Sequence, residues 1–172
     1  GDGYTDLVEG YDGETIGIKW HKNDGAGNFS TYTINTTISA FGMDIVDFDS
    51  DGDLDILATW WGNGEQDPGK IYLIENLGFD ATWSASTAVA DVAGPSDIIR
   101  GGDFDGDGDG DLLLFSLGYN GYNGSGAPAN GIIEWYENDG SENFTPHAIT
   151  TIINGSPERP VSVAHFDVDD LD

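Results

Sequence analysis

Two nine-residue acidic loops contain the residues whose types and spacing could do chemistry. They read DFDSDGDLD over 47–55 and DFDGDGDGD over 103–111, with a carboxylate at every second position and Gly at the sixth. Carboxylates that alternate along a tightly curled loop can converge on one hard cation, and Ca²⁺ takes roughly six to eight oxygen ligands. The Gly permits the sharp turn that such a loop needs. The two loops therefore predict Ca²⁺ sites.

A third copy of the loop is divided between the two ends of the sequence. Residues 170–172 followed by residues 1–6 read DLDGDGYTD, in the same frame, with Gly3 at the sixth position. We expect side-chain ligands at the first, third, fifth and ninth positions and a backbone carbonyl at the seventh, where Tyr4 is then acceptable. The predicted ligands are Asp47, Asp49, Asp51, Asp53 and Asp55; Asp103, Asp105, Asp107, Asp109 and Asp111; and Asp170, Asp172, Asp2, Tyr4 and Asp6. This gives about three Ca²⁺ sites, one of them split between chain ends or neighbouring copies.

Other interpretations of the loops fit less well. The helix-loop-helix calcium motif needs Glu at its twelfth position, where these loops have Ala58 and Leu114. Magnesium keeps more of its waters, and zinc or copper would favour His or Cys ligands, while the chain has no cysteine. A solvated acidic turn does not explain alternating carboxylates beside a fixed Gly, because their repulsion would destabilise it. Calcium is the predicted metal, in a structural role.

The elements that position these loops also repeat. A second motif starts at Ile18, Ile71 and Ile133, and each copy is an apolar run, a turn rich in Asn, Asp and Gly, and another apolar run. That pattern is typical of β-hairpins. Each period contains several short strand candidates and no convincing helical periodicity, which favours repeated propeller blades. We predict an all-β chain with three four-stranded blade equivalents, as a partial propeller or one unit of a larger assembly. A sandwich of short strands is the alternative.

The repeats set the expected domain bounds. Residues 1–39 would form a partial blade whose first strand comes from 160–172 or from a neighbouring copy. Residues 40–93 and 94–158 would form one blade each. Residues 159–172 would supply the first strand and half of the calcium loop of the next blade.

The motifs resemble a known family. Phe41-Gly42, the loop 47–55 and the following ILATWWGNG resemble an FG-GAP repeat, the blade unit of integrin-alpha-like propellers. The frame W-x-x-N-D-G-x-x-N-F in 20–29 and 135–144 is similar to the VCBS-type relative of that repeat. The resemblance implies four-stranded blades with Ca²⁺ in the loop between the first two strands. It also implies an extracellular setting, in adhesins, lectins and accessory domains of secreted enzymes.

Charge and motif content exclude several function classes. The chain has 32 acidic and 5 basic residues, for a formal charge of −27, which argues against nucleic acid and against anionic membrane surfaces. No apolar run is long enough for membrane insertion. We find no G-x-S-x-G motif, no Ser-His-Asp pattern and no phosphate loop, so we expect no enzymatic activity.

We therefore expect a calcium-stabilised, secreted or cell-surface repeat module with a structural or adhesive role. Its partners would be neighbouring copies or the rest of a longer chain, in a tandem array, polymer or filament. The alternatives are a lectin-like propeller segment and a non-catalytic part of a secreted polysaccharide-active enzyme. For the lectin, the rings of Trp60, Trp61, Tyr119 and Tyr122 could stack on sugar faces, although the two Trp side chains could equally pack between blades.

Overall fold

The computed structural model describes residues 2–11, 16–61, 69–78, 82–92, 96–117, 131–141 and 143–152 of the chain. These residues form eleven β-strands and no helix, so they contain no helix that could cross a lipid bilayer. The strands are β1 (Leu7–Tyr11), β2 (Gly17–Asn23), β3 (Phe29–Asn35), β4 (Met43–Val46), β5 (Asp55–Trp60), β6 (Gly69–Ile74), β7 (Thr87–Val92), β8 (Ser96–Gly102), β9 (Asp111–Leu117), β10 (Gly131–Asn138) and β11 (Phe144–Ile152).

The strands form three antiparallel sheets in which each strand pairs with its neighbours in sequence. The first sheet has the order β1-β2-β3, the second β4-β5-β6-β7 and the third β8-β9-β10-β11. Each strand pairs only with strands adjacent to it in sequence, and antiparallel neighbours of this kind need no crossover connection. The prediction of an all-β chain with three blade equivalents, consistent with a partial propeller, is confirmed.

The first sheet has one described strand fewer than the other two. β1 pairs with β2 from Leu7↔His21 to Tyr11↔Gly17, in the place that β5 and β9 occupy beside their own partners. In the second and third sheets, β4 and β8 flank β5 and β9 on the other side. We expect the corresponding strand to come from residues 160–172 or from a neighbouring copy, and residues 160–172 lie outside the described residues. The predicted domain bounds therefore stay a prediction.

The core lies between the sheets, and the second sheet contributes to it from both faces. Alternate side chains of a strand point to opposite faces, so Leu57 and Ile56 of β5 enter different clusters. One cluster joins the second sheet to the third and contains Phe48, Leu57, Ile71, Leu73, Val92, Ile99, Leu112, Leu114 and Tyr136. The other joins the first sheet to the second and contains Ile18, Ile38, Ala40, Ile56, Ala58 and Ile74.

A polar contact and a close backbone approach fix the third sheet against the second. The Gly101 backbone N–H donates to Oδ2 of Asp44 at 3.0 Å, and Arg100 Nη1 lies 3.9 Å from Oδ1 of the same carboxylate. A Cβ on Gly101 would lie 2.6 Å from Val46 Cγ1 and 2.7 Å from Leu57 Cδ1. Only glycine allows β8 to approach β4 and β5 this closely.

The Phe41-Gly42 pair extends the contact between β4 and β5. Phe41 N–H donates to the Thr59 carbonyl at 2.9 Å, and Thr59 N–H donates to the Gly42 carbonyl at 2.9 Å. The buried Thr59 hydroxyl accepts the Gly42 N–H at 2.9 Å. This fixes the strand that leads into the loop at 47–55.

Candidate metal centre

Each of the two intact acidic loops brings three carboxylates together. In the loop between β4 and β5, oxygens of Asp47, Asp49 and Asp55 all lie within 4.8 Å of one another. In the loop between β8 and β9, oxygens of Asp103, Asp105 and Asp111 meet the same limit. The two clusters use the same three loop positions, the first, third and ninth. Each is an all-oxygen donor set of the kind that hard divalent cations bind.

Backbone N–H groups curl the loops around their own carboxylates. Oδ2 of Asp47 accepts the Gly52 N–H at 3.1 Å, and Oδ2 of Asp103 accepts the Gly108 N–H at 3.1 Å. Gly52 and Gly108 have φ values of 95° and 97°, in the left-handed region that favours glycine. The sharp turn that the sequence predicts at the sixth position is therefore present.

The last Asp of each loop is buried and held from two sides. Asp55 accepts the Phe48 N–H at 2.9 Å through Oδ2 and the Asn76 N–H at 2.8 Å through Oδ1. Asp111 makes the same two bonds, with Phe104 N–H at 3.0 Å and Asn138 N–H at 2.8 Å. Each carboxylate thus connects its own loop to the hairpin turn at the end of the third strand of the sheet.

Crowding and burial act on the charge state of these carboxylates. Burial raises the pKa of Asp55 above its ordinary value, and the charges of Asp49 and Asp51 add to the rise against its two backbone bonds. Desolvation, followed by the charges of Asp107 and Asp111, raises the pKa of Asp105. In each loop the folded chain thus disfavours the negative form of one carboxylate, Asp55 or Asp105, and a bound cation would stabilise that form.

One buried carboxylate oxygen of the first cluster lacks a hydrogen-bond partner among the described residues. It is Oδ1 of Asp47. A buried carboxylate oxygen without a partner costs free energy, and the great majority of such atoms are paired. A cation at the centre of the Asp47, Asp49 and Asp55 cluster would satisfy it, so the residues present fit a metal site.

The structure places the other predicted ligands of the intact loops differently. Asp51 and Asp107, predicted as side-chain ligands, are not in the three-carboxylate clusters; their Oδ1 atoms accept the N–H of the residue two further on, at 2.8 Å and 3.0 Å. The side chains of Asp53 and Asp109 lie against glycines of the next hairpin turn, Gly78 and Gly140. Such positions leave the backbone carbonyl as the group that the seventh residue can offer.

Only part of the split loop lies among the described residues. Asp2 Oδ1 accepts the Tyr4 N–H at 3.1 Å, and Lys22 Nζ lies 3.6 Å from Asp2 Oδ2. Asp6 accepts the Asn23 N–H at 2.8 Å through Oδ1, as Asp55 and Asp111 do from their turns. Its Oδ2 accepts the Trp20 indole N–H at 2.9 Å, whereas the intact loops use the amide of their own second residue. Asp170 and Asp172 lie outside the described residues.

Sequence reasoning missed the residues that hold the last Asp from across the sheet. Asn23, Asn76 and Asn138 recur in the hairpin frame, but their backbone role at the acidic loops was not predicted. They follow their Asp partners by 17, 21 and 27 residues, so no fixed spacing reveals the contact. Their shared position in the hairpin frame was the available signal.

The aromatic residues proposed for glycan contact are partly described. Trp60 and Trp61 are half-buried at the end of β5, and the Trp61 ring stacks on Phe41 with centroids 4.0 Å apart. Tyr119 and Tyr122 lie outside the described residues. The glycan contact stays a prediction.

The comparisons with known proteins give one result. Residues 1–58 match a family model described as an FG-GAP-like repeat, and this stretch includes the predicted half-loop at 2–6 and the intact loop at 47–55. Searches of curated proteins and of solved structures give no match. Residues 1–58 are therefore similar to an FG-GAP-like repeat, and the resemblance that the sequence predicts is confirmed for this part of the chain.

Proposed function

We propose that the chain is a calcium-stabilised repeat module in which each intact loop holds one Ca²⁺. The observation that carries the proposal is the pair of three-carboxylate clusters at equivalent positions, 47, 49 and 55 and 103, 105 and 111. Their donors are all oxygen, which suits Ca²⁺ better than zinc or copper. The Asp53 and Asp109 carbonyls and solvent would complete the coordination. Bound Ca²⁺ would supply the positive charge that these clusters lack.

The position of the loops supports a structural role for the cation. Each loop joins the first two strands of a four-stranded sheet, and its last Asp also holds the turn after the third strand. A cation bound there would tie three segments of the sheet together. Because such a site does not exist in the unfolded chain, its binding free energy would add to the free energy of folding.

The family match supports a non-catalytic module outside the cell. FG-GAP-like repeats are generally structural modules of extracellular or surface proteins, and residues 1–58 match the model of such a repeat. Calcium sites of extracellular modules have dissociation constants of roughly 0.1–1 mM. We propose a secreted or cell-surface location, where the surrounding Ca²⁺ would keep the loops occupied, and a structural or adhesive role.

Chelation tests this proposal directly. We expect EDTA to lower the melting temperature of the protein and added Ca²⁺ to restore it, while Mg²⁺ at the same concentration restores less. The reason is that Mg²⁺ dehydrates reluctantly and requires a near-octahedral shell. An identical melting temperature in EDTA and in excess Ca²⁺ would contradict the structural role of the metal.

The first sheet supports a further part of the proposal, assembly with another strand. Leu7 of β1 is 56% exposed, whereas Ile56 and Leu112, which follow the last loop Asp in the same way, are 0% exposed. In those two cases β4 and β8 run alongside, paired at Ile45↔Ile56 and Gly101↔Leu112. We propose that a strand from a neighbouring copy or from the rest of a longer chain covers β1 in the same register.

The assembly proposal has its own measurement. If a neighbouring copy supplies the strand, light scattering after size exclusion should show association that grows with protein concentration, and Leu7→Lys should reduce it. Leu54→Lys, at a side chain that is 55% exposed within an intact loop, is the matched control. Amide hydrogen exchange along β1 should be slow if another strand pairs with it. Exchange as fast as in an unpaired edge strand, at every protein concentration and in longer versions of the chain, would refute the proposal that a strand covers β1.

A further inference from the structure

A short turn beside each acidic loop makes the same contacts in all three sheets. We call residues 23–25, 76–78 and 138–140 the Asn-x-Gly turns; they lie between β2 and β3, β6 and β7, and β10 and β11. The Asn N–H donates to Oδ1 of the last loop Asp at 2.8 Å in every copy. The Asn side-chain oxygen accepts the Gly N–H, at 2.9, 3.2 and 3.2 Å, which fixes the turn.

The glycine of each turn meets the seventh residue of the adjacent loop. A Cβ on Gly25 would lie 2.3 Å from the Tyr4 ring. On Gly78 it would lie 2.5 Å from Asp53 Oδ2, and on Gly140 it would lie 2.4 Å from Asp109 Oδ2. The seventh side chain, which is Tyr in one loop and Asp in the other two, thus packs against this glycine in all three copies.

The contact constrains what the seventh residue can do. Its side chain occupies the space beside the glycine, while the last Asp, two residues later, is bonded to the Asn of the same turn. One turn therefore positions two adjacent parts of the loop, the backbone at the seventh residue and the carboxylate at the ninth. Only the backbone carbonyl of the seventh residue is then available to a cation. The side chain at this position can therefore be either Asp or Tyr.

We propose that the Asn-x-Gly turns are the outer wall of the cation sites and set their affinity. Their glycines are positioning residues, and none of them is a ligand. This inference rests on the proposed function, because it assumes that the loops bind Ca²⁺. It predicts that a change in the turn, at a residue that touches no cation, weakens binding in the loop that it contacts.

Backbone strain alone could also make these glycines sensitive to substitution. Gly25, Gly78 and Gly140 have φ values of 72–75°, a conformation that favours glycine whatever lies nearby. Gly27 provides the control, because its φ is 92° and a Cβ built on it meets nothing within 4 Å. Gly27→Ala thus introduces backbone strain in a hairpin turn without touching an acidic loop.

The experiment measures Ca²⁺ affinity at one loop by calorimetric titration. The background carries Asp47→Asn and Asp49→Asn, which remove two carboxylate ligands from the other intact loop. Gly140→Ala should weaken Ca²⁺ binding about 3- to 10-fold, because the Asp109 side chain must shift to admit the new Cβ; this is less than the roughly 10- to 100-fold seen for groups bonded directly to metal ligands. Gly27→Ala should change it less than about threefold. In an Asp109→Ala background the substitution at Gly140 should also cost less than about threefold, because the contacting atoms are gone.

The outcomes separate this inference from the proposed function. Equal effects of Gly140→Ala and Gly27→Ala would overturn the inference, as would a loss that persists undiminished in the Asp109→Ala background. If Gly140→Ala fails to fold, recovery of folding in the double variant supports the contact, and failure to recover contradicts it. A background protein that binds no Ca²⁺ at all would instead refute the proposed function, and the inference with it.

Discussion

Replacing Asp49 with Asn should have opposite effects on stability with and without Ca²⁺. Asp49 is exposed in the first acidic loop, and its Oδ1 accepts the Asp51 N–H at 3.2 Å. Asn retains an oxygen that can accept this bond, so the substitution removes a charge with little change in shape. We expect the metal-free protein to become more stable and the Ca²⁺-loaded protein to become less stable.

The magnitude without metal follows from the distances in the cluster. Oxygens of Asp47, Asp49 and Asp55 lie within 4.8 Å of one another, so Asn at 49 removes two repulsive pairs. At that distance a pair of unit charges repels by about 0.9 kcal/mol in water and about 3.5 kcal/mol at an effective dielectric constant of 20. Because Asp49 is exposed, the lower value applies. The gain is at most about 2 kcal/mol at low ionic strength, and salt reduces it.

The loss with metal follows from mass action. Calcium at 100 times its dissociation constant stabilises the folded state by about 2.7 kcal/mol for one site. Loss of a carboxylate ligand that raises the dissociation constant about 100-fold would remove most of this stabilisation. The two effects have opposite signs and similar size, so the order of stability of wild type and variant should reverse on adding Ca²⁺.

Urea unfolding in EDTA and in excess Ca²⁺ measures both effects. Asp91→Asn is the matched control, because Asp91 is exposed on β7, lies 2.6 Å from Lys70 and carries the same charge away from the loops. It should show no dependence on Ca²⁺ beyond that of wild type. A destabilisation by Asp49→Asn of the same size in EDTA and in Ca²⁺ would refute the argument, because repulsion and ligation would then not govern this loop.

Three other predictions follow from the fold and its surface. Leu57→Ala, at a fully buried side chain between the second and third sheets, should lower the free energy of unfolding by about 2–5 kcal/mol, and Leu54→Ala by less than about 0.5 kcal/mol; chemical denaturation checks both. Bonds from the Asn28 side chain and backbone lower the pKa of Asp24, so this carboxylate adds stability above its ordinary pKa that is lost as pH falls through the lowered value. Asn28→Ala should return the pKa of Asp24 towards 3.8 and reduce the stability that the protein loses at acid pH. Carboxyl NMR titration measures this pKa, and an unchanged value would contradict the assigned cause. If the module binds glycans, Trp61→Ala should abolish binding on a glycan array, and undiminished binding would exclude Trp61 from the contact.

The features that sequence predicts well here are local. Alternating carboxylates with Gly at the sixth position lie within nine residues, and their meaning does not depend on distant parts of the chain. The hairpin frame is likewise local, which is why three sheets of consecutive antiparallel strands could be predicted. In the second sheet Leu73 stands where the frame has Trp in the other two sheets and is buried in the core, yet the Asn-x-Gly turn makes the same hydrogen bonds.

The features that sequence does not predict depend on contacts between distant segments. The Asp44 carboxylate reaches Gly101, 57 residues away, across the boundary between two sheets. Asn76 and Asn138 act through backbone N–H groups, which every residue except proline has, so residue type alone could not reveal their role. The sequence also does not predict which carboxylates of a loop come together. Asp49 and Asp51 are the same residue type in the same alternating pattern, yet only Asp49 joins the three-carboxylate cluster.

Calorimetric titration of the metal-free protein with Ca²⁺ tests the central claim most directly. The two intact clusters predict at least two Ca²⁺ per chain, bound with dissociation constants of about 1 mM or below. Asp49→Asn should remove or strongly weaken one of these sites and leave the site at 103–111 unchanged. No saturable binding in wild-type protein at several times 1 mM Ca²⁺ would contradict the account, since both loops would then be acidic turns without a cation.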